Sequence, residues 1–141
     1  MIPEPEAFRK EDDQLLDAAR QMIDKLRKHA DEQALSRMCE VLWETVGLAN
    51  RYIDGQEPWT LKKTNPQRMK TVLYVLAEVL RYLGILSSPI IPKAAKKLLA
   101  QLNIPENQQT IAALEKQPLA TGSILPVPEG LFPRVQMEII Q

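Results

Sequence analysis

The sequence has very few of the side chains that perform most enzymatic chemistry. It contains one cysteine, Cys39, and one histidine, His29, among its 141 residues. A single cysteine excludes an internal disulfide, and one cysteine with one histidine cannot form the usual zinc site. Neither the phosphate-loop pattern G-x-x-x-x-G-K nor the dinucleotide pattern G-x-G-x-x-G occurs. The residues therefore predict no catalytic site and no metal site in this chain.

Net charge and long apolar runs are also absent. The 18 basic side chains are balanced by 18 acidic ones, which argues against a polybasic binder of nucleic acid but leaves room for a local basic patch. No apolar run approaches the ~18–20 residues that a membrane span requires. The first residues, "MIPEPEAFRKEDD", lack the basic-then-apolar order of a signal peptide. We therefore expect a cytoplasmic protein without a membrane segment.

The individual titratable residues favour structural roles. Cys39 is expected to be buried in a helix, where it packs as a small apolar side chain in a reducing compartment. His29 lies near a charged helix end and is expected to be solvated. The carboxylates are expected on solvated helix faces rather than in a paired acid–base site. This expectation includes the run "RKED" at residues 9–12, where the first helix begins.

What the sequence has in quantity is apolar side chains at helical spacing, within a hydrophobic content of 45%. The i, i+3, i+4, i+7 pattern predicts helices over 10–31, 33–53 and 66–86, with shorter ones over 92–102 and near 107–115. The helix over 66–86 is apolar around most of its circumference, which predicts a central position. The predicted fold is all-α, a helical bundle followed by an extended C-terminal tail.

The division along the chain follows from these elements and from proline. The prediction is an extended lead-in over 1–9, a bundle over 10–116 and a proline-rich extended tail over 117–141. The tail is expected to pack back on the bundle through Leu125, Leu131 and Phe132 and to end in a short strand.

Several positions carry local predictions. Trp43 is expected to pack between helices, and Gly47 to allow a neighbouring helix to approach closely. Asp54 and Gly55 are expected to end the second helix, with Gly55 as a left-handed cap. Asn65 is expected to cap the start of the next helix.

The stretch "IDGQEPWTLKK", residues 53–63, is predicted to be a turn that places Trp59 beside Pro58 in contact with water. Five basic residues surround it and only Asp54 and Glu57 oppose them, which leaves three net positive charges. The five are Arg51, Lys62, Lys63, Arg68 and Lys70. A base of single-stranded nucleic acid stacks on such a ring for ~1–3 kcal/mol while the cations meet phosphates. The residues alone leave open the alternative that Trp59 folds inward and fills a gap between helices.

Motifs in this region resemble a known family. "ANRYIDGQEPWTLKK" followed by "VLYVLAEVLRYLGILSSPIIPKAAKKLLAQL" is similar to the C-terminal anticodon-binding domain of bacterial methionyl-tRNA synthetases. The tail segment "LFPRV" is similar to the Leu-Phe-Pro-Arg-Ile/Val that commonly closes the catalytic core of bacterial members. The motifs occur in the family order over residues 40–135.

The resemblance implies a function that lies partly outside the chain. The family joins methionine to its tRNA with ATP, through a methionyl-adenylate. No HIGH-like or KMSKS-like segment occurs here, so ATP and methionine are expected to bind a catalytic domain that this chain lacks. The implied partners are the anticodon loop of methionine tRNA and the enzyme's own catalytic domain, with neither DNA nor a membrane.

The resemblance also implies site residues. They are Trp59, Asn50, Arg51, Asp54, Pro58, Lys62 and Lys63. Trp59 would stack on an anticodon base, Asn50 and Arg51 would supply a hydrogen bond and a phosphate contact, and Asp54 would penalise wrong bases. The structural alternative for Asn50 and Arg51 is a role in helix capping and ion pairing. The structural alternative for Asp54 is the polarity of the helix C-terminus.

The chain departs from the family pattern at one helix, and one alternative function stays open. In the family a further anticodon-contacting Asn/Arg pair lies on a helix that precedes the segment matched here, so weaker tRNA binding and an exposed apolar groove are expected. A helical protein-interaction module, in which Trp59 and the tail form a docking face, is the alternative function. The two functions differ in salt dependence, because only phosphate contacts make binding strongly sensitive to salt.

Overall fold

The computed structural model describes residues 1–132, and over them the fold is a bundle of six α-helices with one short 3₁₀ turn. The helices are α1 (Lys10–Asp31), α2 (Leu35–Gln56), α3 (Pro58–Thr64), α4 (Pro66–Ser87), α5 (Pro92–Gln101) and α6 (Ile111–Lys116), with the 3₁₀ turn at Glu106–Gln108. The all-α prediction is confirmed, and the predicted helices over 10–31, 66–86 and 92–102 agree with the structure to within one residue at each end. The helix expected near 107–115 is instead a 3₁₀ turn followed by α6.

Helix α4 occupies the centre of the bundle, as its wide apolar surface predicts. It contacts all five of the other α-helices. Val72, Val75 and Val79 on its inner face are at most 1% exposed. Asn65 caps its start by accepting a hydrogen bond from the Arg68 N–H at 3.2 Å, which confirms the predicted N-cap.

One glycine allows a close helix approach, but it is not the one expected from the sequence. A Cβ added at Gly47 would meet no atom within 4 Å, so the prediction for Gly47 is wrong. A Cβ at Gly84 would lie 2.9 Å from Cδ2 of Leu99, closer than such atoms pack. Gly84 therefore allows α5 to approach α4 at this point.

The N-terminal lead-in is hydrogen-bonded to the segment that follows α6. The Gly122 N–H donates to the Ile2 carbonyl at 2.7 Å, and the Ile2 N–H donates to the Ser123 carbonyl at 2.9 Å. Ile2 is buried, so the lead-in contributes to the core. Three residues before Gly122, the Leu119 N–H donates to Oε2 of Glu78 at 2.9 Å, which fixes the segment after α6 to α4.

The apolar side chains of the tail differ in burial. Leu125 packs partly against the core and Leu131 is half-buried, whereas the Phe132 ring is 72% exposed. Phe132 thus stays largely exposed, although it lines an apolar groove on the bundle together with Leu131. The short strand expected at the end of the tail falls within 133–141, outside the described residues.

Within residues 1–132 no helix combines the length and the apolar character that a membrane crossing requires. No three His, Cys, Asp or Glu side chains in this part of the chain are grouped so that they could hold a metal ion.

Candidate nucleic-acid interface

A sharp corner between α2 and α3 presents Trp59. Helix α2 continues through Asp54 and Gly55 and ends at Gln56, so the predicted stop at Gly55 is wrong. The left-handed residue is Glu57, with φ 48° and ψ 63°. A non-glycine residue in this conformation costs roughly 1–2 kcal/mol, so surrounding contacts must hold the corner in place. The predicted turn over 53–63 is thus a helix end, one left-handed residue and a short helix.

Helix α3 presents the indole to solvent. Pro58 occupies its first position, where a missing N–H costs nothing, and Trp59 follows with 58% of its surface exposed. The inward-folded alternative for Trp59 is therefore excluded. Because side chains three and four residues apart lie on one helix face, Lys62 and Lys63 share the face of Trp59, and both are exposed.

The end of α2 contributes three more exposed polar side chains. Asn50, Arg51 and Asp54 are all exposed, and their spacing places them on one side of the last two turns. Tyr52 points the opposite way and is buried. The residues implied by the resemblance therefore lie in the last two turns of α2 and along α3, on either side of Glu57.

Arg68 does not belong to the exposed basic cluster. The residue is only 3% exposed, and its side chain is bound to the carboxylate of Asp12. The exposed cations of this region are Arg51, Lys62, Lys63 and Lys70, opposed by exposed Asp54 and Glu57. The corner therefore presents two net positive charges, rather than the three obtained by counting Arg68 from the sequence.

A buried hydrogen-bonded cluster lies beneath the corner, and we call Asp12, Tyr52, Gln56 and Arg68 the Arg68 cluster. Nη1 and Nη2 of Arg68 donate to the two carboxylate oxygens of Asp12 at 2.6 and 2.8 Å. The Tyr52 hydroxyl donates to Asp12 at 2.6 Å. Nη2 of Arg68 also donates to Oε1 of Gln56 at 2.7 Å. The cluster joins α1, α2 and α4 by side chains alone.

The cluster holds its charges in fixed states. Burial alone would raise the pKa of Asp12, but hydrogen bonds from Arg68, Tyr52 and the Arg9 N–H outweigh it and lower that pKa. Burial, followed by the hydrogen bond to Asp12, raises the pKa of Tyr52. The hydrogen bond to Asp12 also raises the pKa of Arg68 against the effect of burial. At neutral pH the cluster is an ion pair with a neutral phenol.

The sequence expectation for Asp12 is therefore wrong, and a signal for its burial was present. Asp12 is fully buried rather than a solvated residue of the helix start. It lies three and four positions before Leu15 and Leu16, on the apolar stripe of α1. Arg68 likewise lies four and seven positions before Val72 and Val75, on the apolar stripe of α4. A carboxylate and a cation on two core-facing stripes indicate a buried pair, because neither charge is tolerated there alone.

Trp43 and Cys39 also differ from expectation. Trp43 is 72% exposed, so the predicted packing between helices is wrong, and Cys39 is only partly buried. Both line an apolar groove of about 390 Å³ formed mainly by α2, α4 and α5, with Phe132 at its edge. His29 is half-buried rather than solvated, with Nδ1 3.4 Å from Oε2 of Glu32.

The family model and similar relatives point to the same protein family. Residues 2–141 match the family model described as "Anticodon binding domain of methionyl tRNA ligase". The methionine–tRNA ligase of Brucella suis is 47% identical over 133 residues, which are 94% of this chain and 26% of that protein. The chain thus spans about a quarter of the length of that relative.

Solved structures agree with the sequence matches. The free-state crystal structure of Mycobacterium tuberculosis methionyl-tRNA synthetase superposes with a TM-score of 0.92 at 37% identity, over 97% of this chain and 28% of that one. The same enzyme bound by methionyl-adenylate superposes with a TM-score of 0.90 at 37% identity, over 94% of this chain and 27% of that one. The chain therefore belongs to the family of anticodon-binding domains of methionyl-tRNA ligases.

Proposed function

We propose that the corner between α2 and α3 binds the anticodon loop of methionine tRNA, with one unstacked base covering the indole of Trp59. The observation that carries the proposal is the exposed Trp59 ring with Lys62 and Lys63 on the same helix face. A flat ring stacks on a base whatever its identity, and the adjacent ammonium groups meet backbone phosphates. Membership of the family supports the same site.

The remaining residues have distinct roles in this proposal. Arg51 contacts a phosphate, and Asn50 donates and accepts hydrogen bonds at base edges. Asp54 disfavours bases that present an acceptor to it, so it contributes to selectivity by penalty rather than by attraction. Pro58 fixes the backbone directly before the indole, which limits the conformational entropy lost on binding.

The proposal assigns the chemistry to another part of a longer protein. Joining methionine to tRNA, with ATP and methionine bound, belongs to the portion of the relatives that this chain does not cover. In that assignment the chain is the non-catalytic, tRNA-reading part of a cytoplasmic ligase, and its partners are methionine tRNA and the catalytic domain of the same enzyme.

Binding of a stem-loop RNA with a CAU anticodon tests the proposal. Trp59→Ala should weaken binding by the ~1–3 kcal/mol of one stacked base, while the thermal unfolding midpoint stays near that of the parent chain because the ring is largely exposed. Trp43→Ala is the matched control, since it removes the other exposed tryptophan from α2 rather than α3. Full affinity in the Trp59→Ala protein contradicts the stacking role.

Salt dependence separates this function from a protein-interaction module. Each phosphate neutralised on a single strand contributes about −0.7 to the slope of log K against log salt. A titration from low to high salt should therefore weaken RNA binding steadily. Binding of the stem-loop that does not respond to salt contradicts the phosphate contacts assigned to Arg51, Lys62 and Lys63.

A further inference from the structure

The segment that carries Trp59 has its two ends tied together by a side-chain hydrogen bond. Gln56 is the last residue of α2 and Arg68 lies in the first turn of α4, twelve positions later. All of α3 lies between them. The bond from Nη2 of Arg68 to Oε1 of Gln56, at 2.7 Å, closes the base of this segment. Trp59 lies three residues beyond one end of that bond.

Helix α3 packs against α4 but has no fully buried side chain to fix its orientation. It has seven residues and none of them is buried. Leu61 packs partly against the core, and the helix starts without a side-chain cap at the strained residue Glu57. The direction in which α3 presents Trp59 therefore depends strongly on where the ends of α2 and α4 are held.

Arg68 is well placed to hold those ends because it is itself immobilised. The bidentate pair with Asp12 orients its guanidinium plane, and the Tyr52 hydroxyl holds the same carboxylate. A single nitrogen, Nη2, then donates both to Asp12 and to Gln56. The buried Asp12–Arg68 pair therefore fixes the position of the Gln56 side chain.

We propose that Gln56 and Arg68 are positioning residues for the anticodon-stacking tryptophan: the Arg68 cluster locks the base of the segment 56–68 and so pre-orders Trp59. This inference rests on the proposed function. Arg68 is too deeply buried to contact RNA, so its effect on binding runs through the corner. Pre-ordering lowers the conformational cost of binding and leaves the contacts themselves unchanged.

Gln56→Ala is the variant that isolates this role. It removes the link to the corner and leaves the Asp12–Arg68 pair intact, so the core keeps its charge balance. Gln56→Glu keeps an acceptor for Arg68 and serves as the rescue variant. Gln21→Ala makes the same substitution at an exposed position of α1 and is the control. All variants are made in a Trp43→Phe background, which leaves Trp59 as the only tryptophan.

The readouts are the affinity for a stem-loop RNA with a CAU anticodon and the fluorescence anisotropy of Trp59 in the free protein. Gln56→Ala should weaken binding about tenfold, equivalent to about 1.4 kcal/mol, and lower the anisotropy. Gln56→Glu should restore both. Adding Gln56→Ala to Trp59→Ala should change affinity by no more than about twofold, because two changes acting through one contact are not additive.

The outcomes separate the two proposals. If Trp59→Ala weakens binding and Gln56→Ala does not, the positioning role is overturned and the proposed function stands. If Gln56→Ala weakens binding equally with and without Trp59, Gln56 acts on RNA by another route and the positioning role is again overturned. If Trp59→Ala retains full affinity, the proposed function fails and the inference fails with it.

Discussion

Replacing Asp12 by asparagine tests how the buried ion pair supports the bundle. The substitution keeps the shape of the side chain and removes its charge. Four hydrogen bonds converge on the Asp12 carboxylate, two from Arg68, one from Tyr52 and one from the Arg9 N–H. Each carboxylate oxygen accepts two of them, so an amide nitrogen in either place would face two donors. Arg68 would also lose its counterion while remaining buried.

The expected cost is about 3–5 kcal/mol, the loss that follows when one partner of a buried pair is removed and the other charge stays inside. Domains of this size have a free energy of unfolding of roughly 5–15 kcal/mol, so the variant should lose a large fraction of its stability. Urea unfolding at pH 7, followed by helical circular dichroism, measures the difference. Asp13→Asn is the control, because Asp13 is the exposed neighbour on the same turn and should cost less than about 1 kcal/mol.

The pH dependence of the same pair of proteins gives a second measure. The pKa of Asp12 in the folded chain lies below its ordinary value of 3.8. A lowered folded pKa stabilises the protein above the unfolded pKa, and that stabilisation is lost as the pH falls toward the folded value. The stability difference between the parent chain and Asp12→Asn should therefore shrink below about pH 4. A cost no larger than that of Asp13→Asn, or a difference independent of acid, contradicts the buried-pair argument.

Two further predictions concern packing around α4. Gly84→Ala should destabilise the protein by about 1–3 kcal/mol, because its Cβ would lie 2.9 Å from Cδ2 of the buried Leu99. The control Gly47→Ala, whose Cβ would have nothing within 4 Å, should stabilise the protein by up to ~1 kcal/mol. Thermal unfolding midpoints that shift in the same direction for both variants would contradict this. Glu78→Gln should raise the hydrogen-exchange rate of the Leu119 amide about fivefold, because it weakens the charge-assisted bond from that amide to Glu78. An unchanged rate, measured relative to amides in the middle of α4, would show that other contacts hold the tail.

The long helices were predictable because their stability comes from a periodic apolar face. In α1 and α4 the apolar side chains recur over six turns, so the pattern identifies both the element and its buried side. The same pattern explains the error at Trp43. Its neighbours Leu42 and Val46 are apolar, but Trp43 itself lies off the stripe formed by Val41, Thr45 and Tyr52. Helix phase, rather than proximity along the sequence, decides which side chain is buried.

The corner was not predictable in the same way. Helix α3 has seven residues, which is fewer than two full periods of an amphipathic pattern. Its stability therefore comes from tertiary packing rather than from a periodic apolar face. Gly55 looked like the helix end because glycine accepts positive φ at no cost, yet the chain places Glu57 there instead. That choice reflects contacts that close only in the folded state, including the bond from Arg68 to Gln56.

The charge of the candidate interface depends on burial rather than on sequence count. Arg68 belongs to the basic run over 51–70 in sequence, but Asp12, 56 positions away, draws it into the core. A buried and paired guanidinium contributes almost nothing to phosphate attraction, while Lys62 and Lys63 remain available beside Trp59. The basic run therefore divides into two functions. In the proposed function the exposed members of the run are the ones that meet phosphates, whereas Arg68 is proposed to support the backbone that presents the ring. Neutralising Arg68 should therefore affect stability and the order of the corner more than the salt dependence of binding.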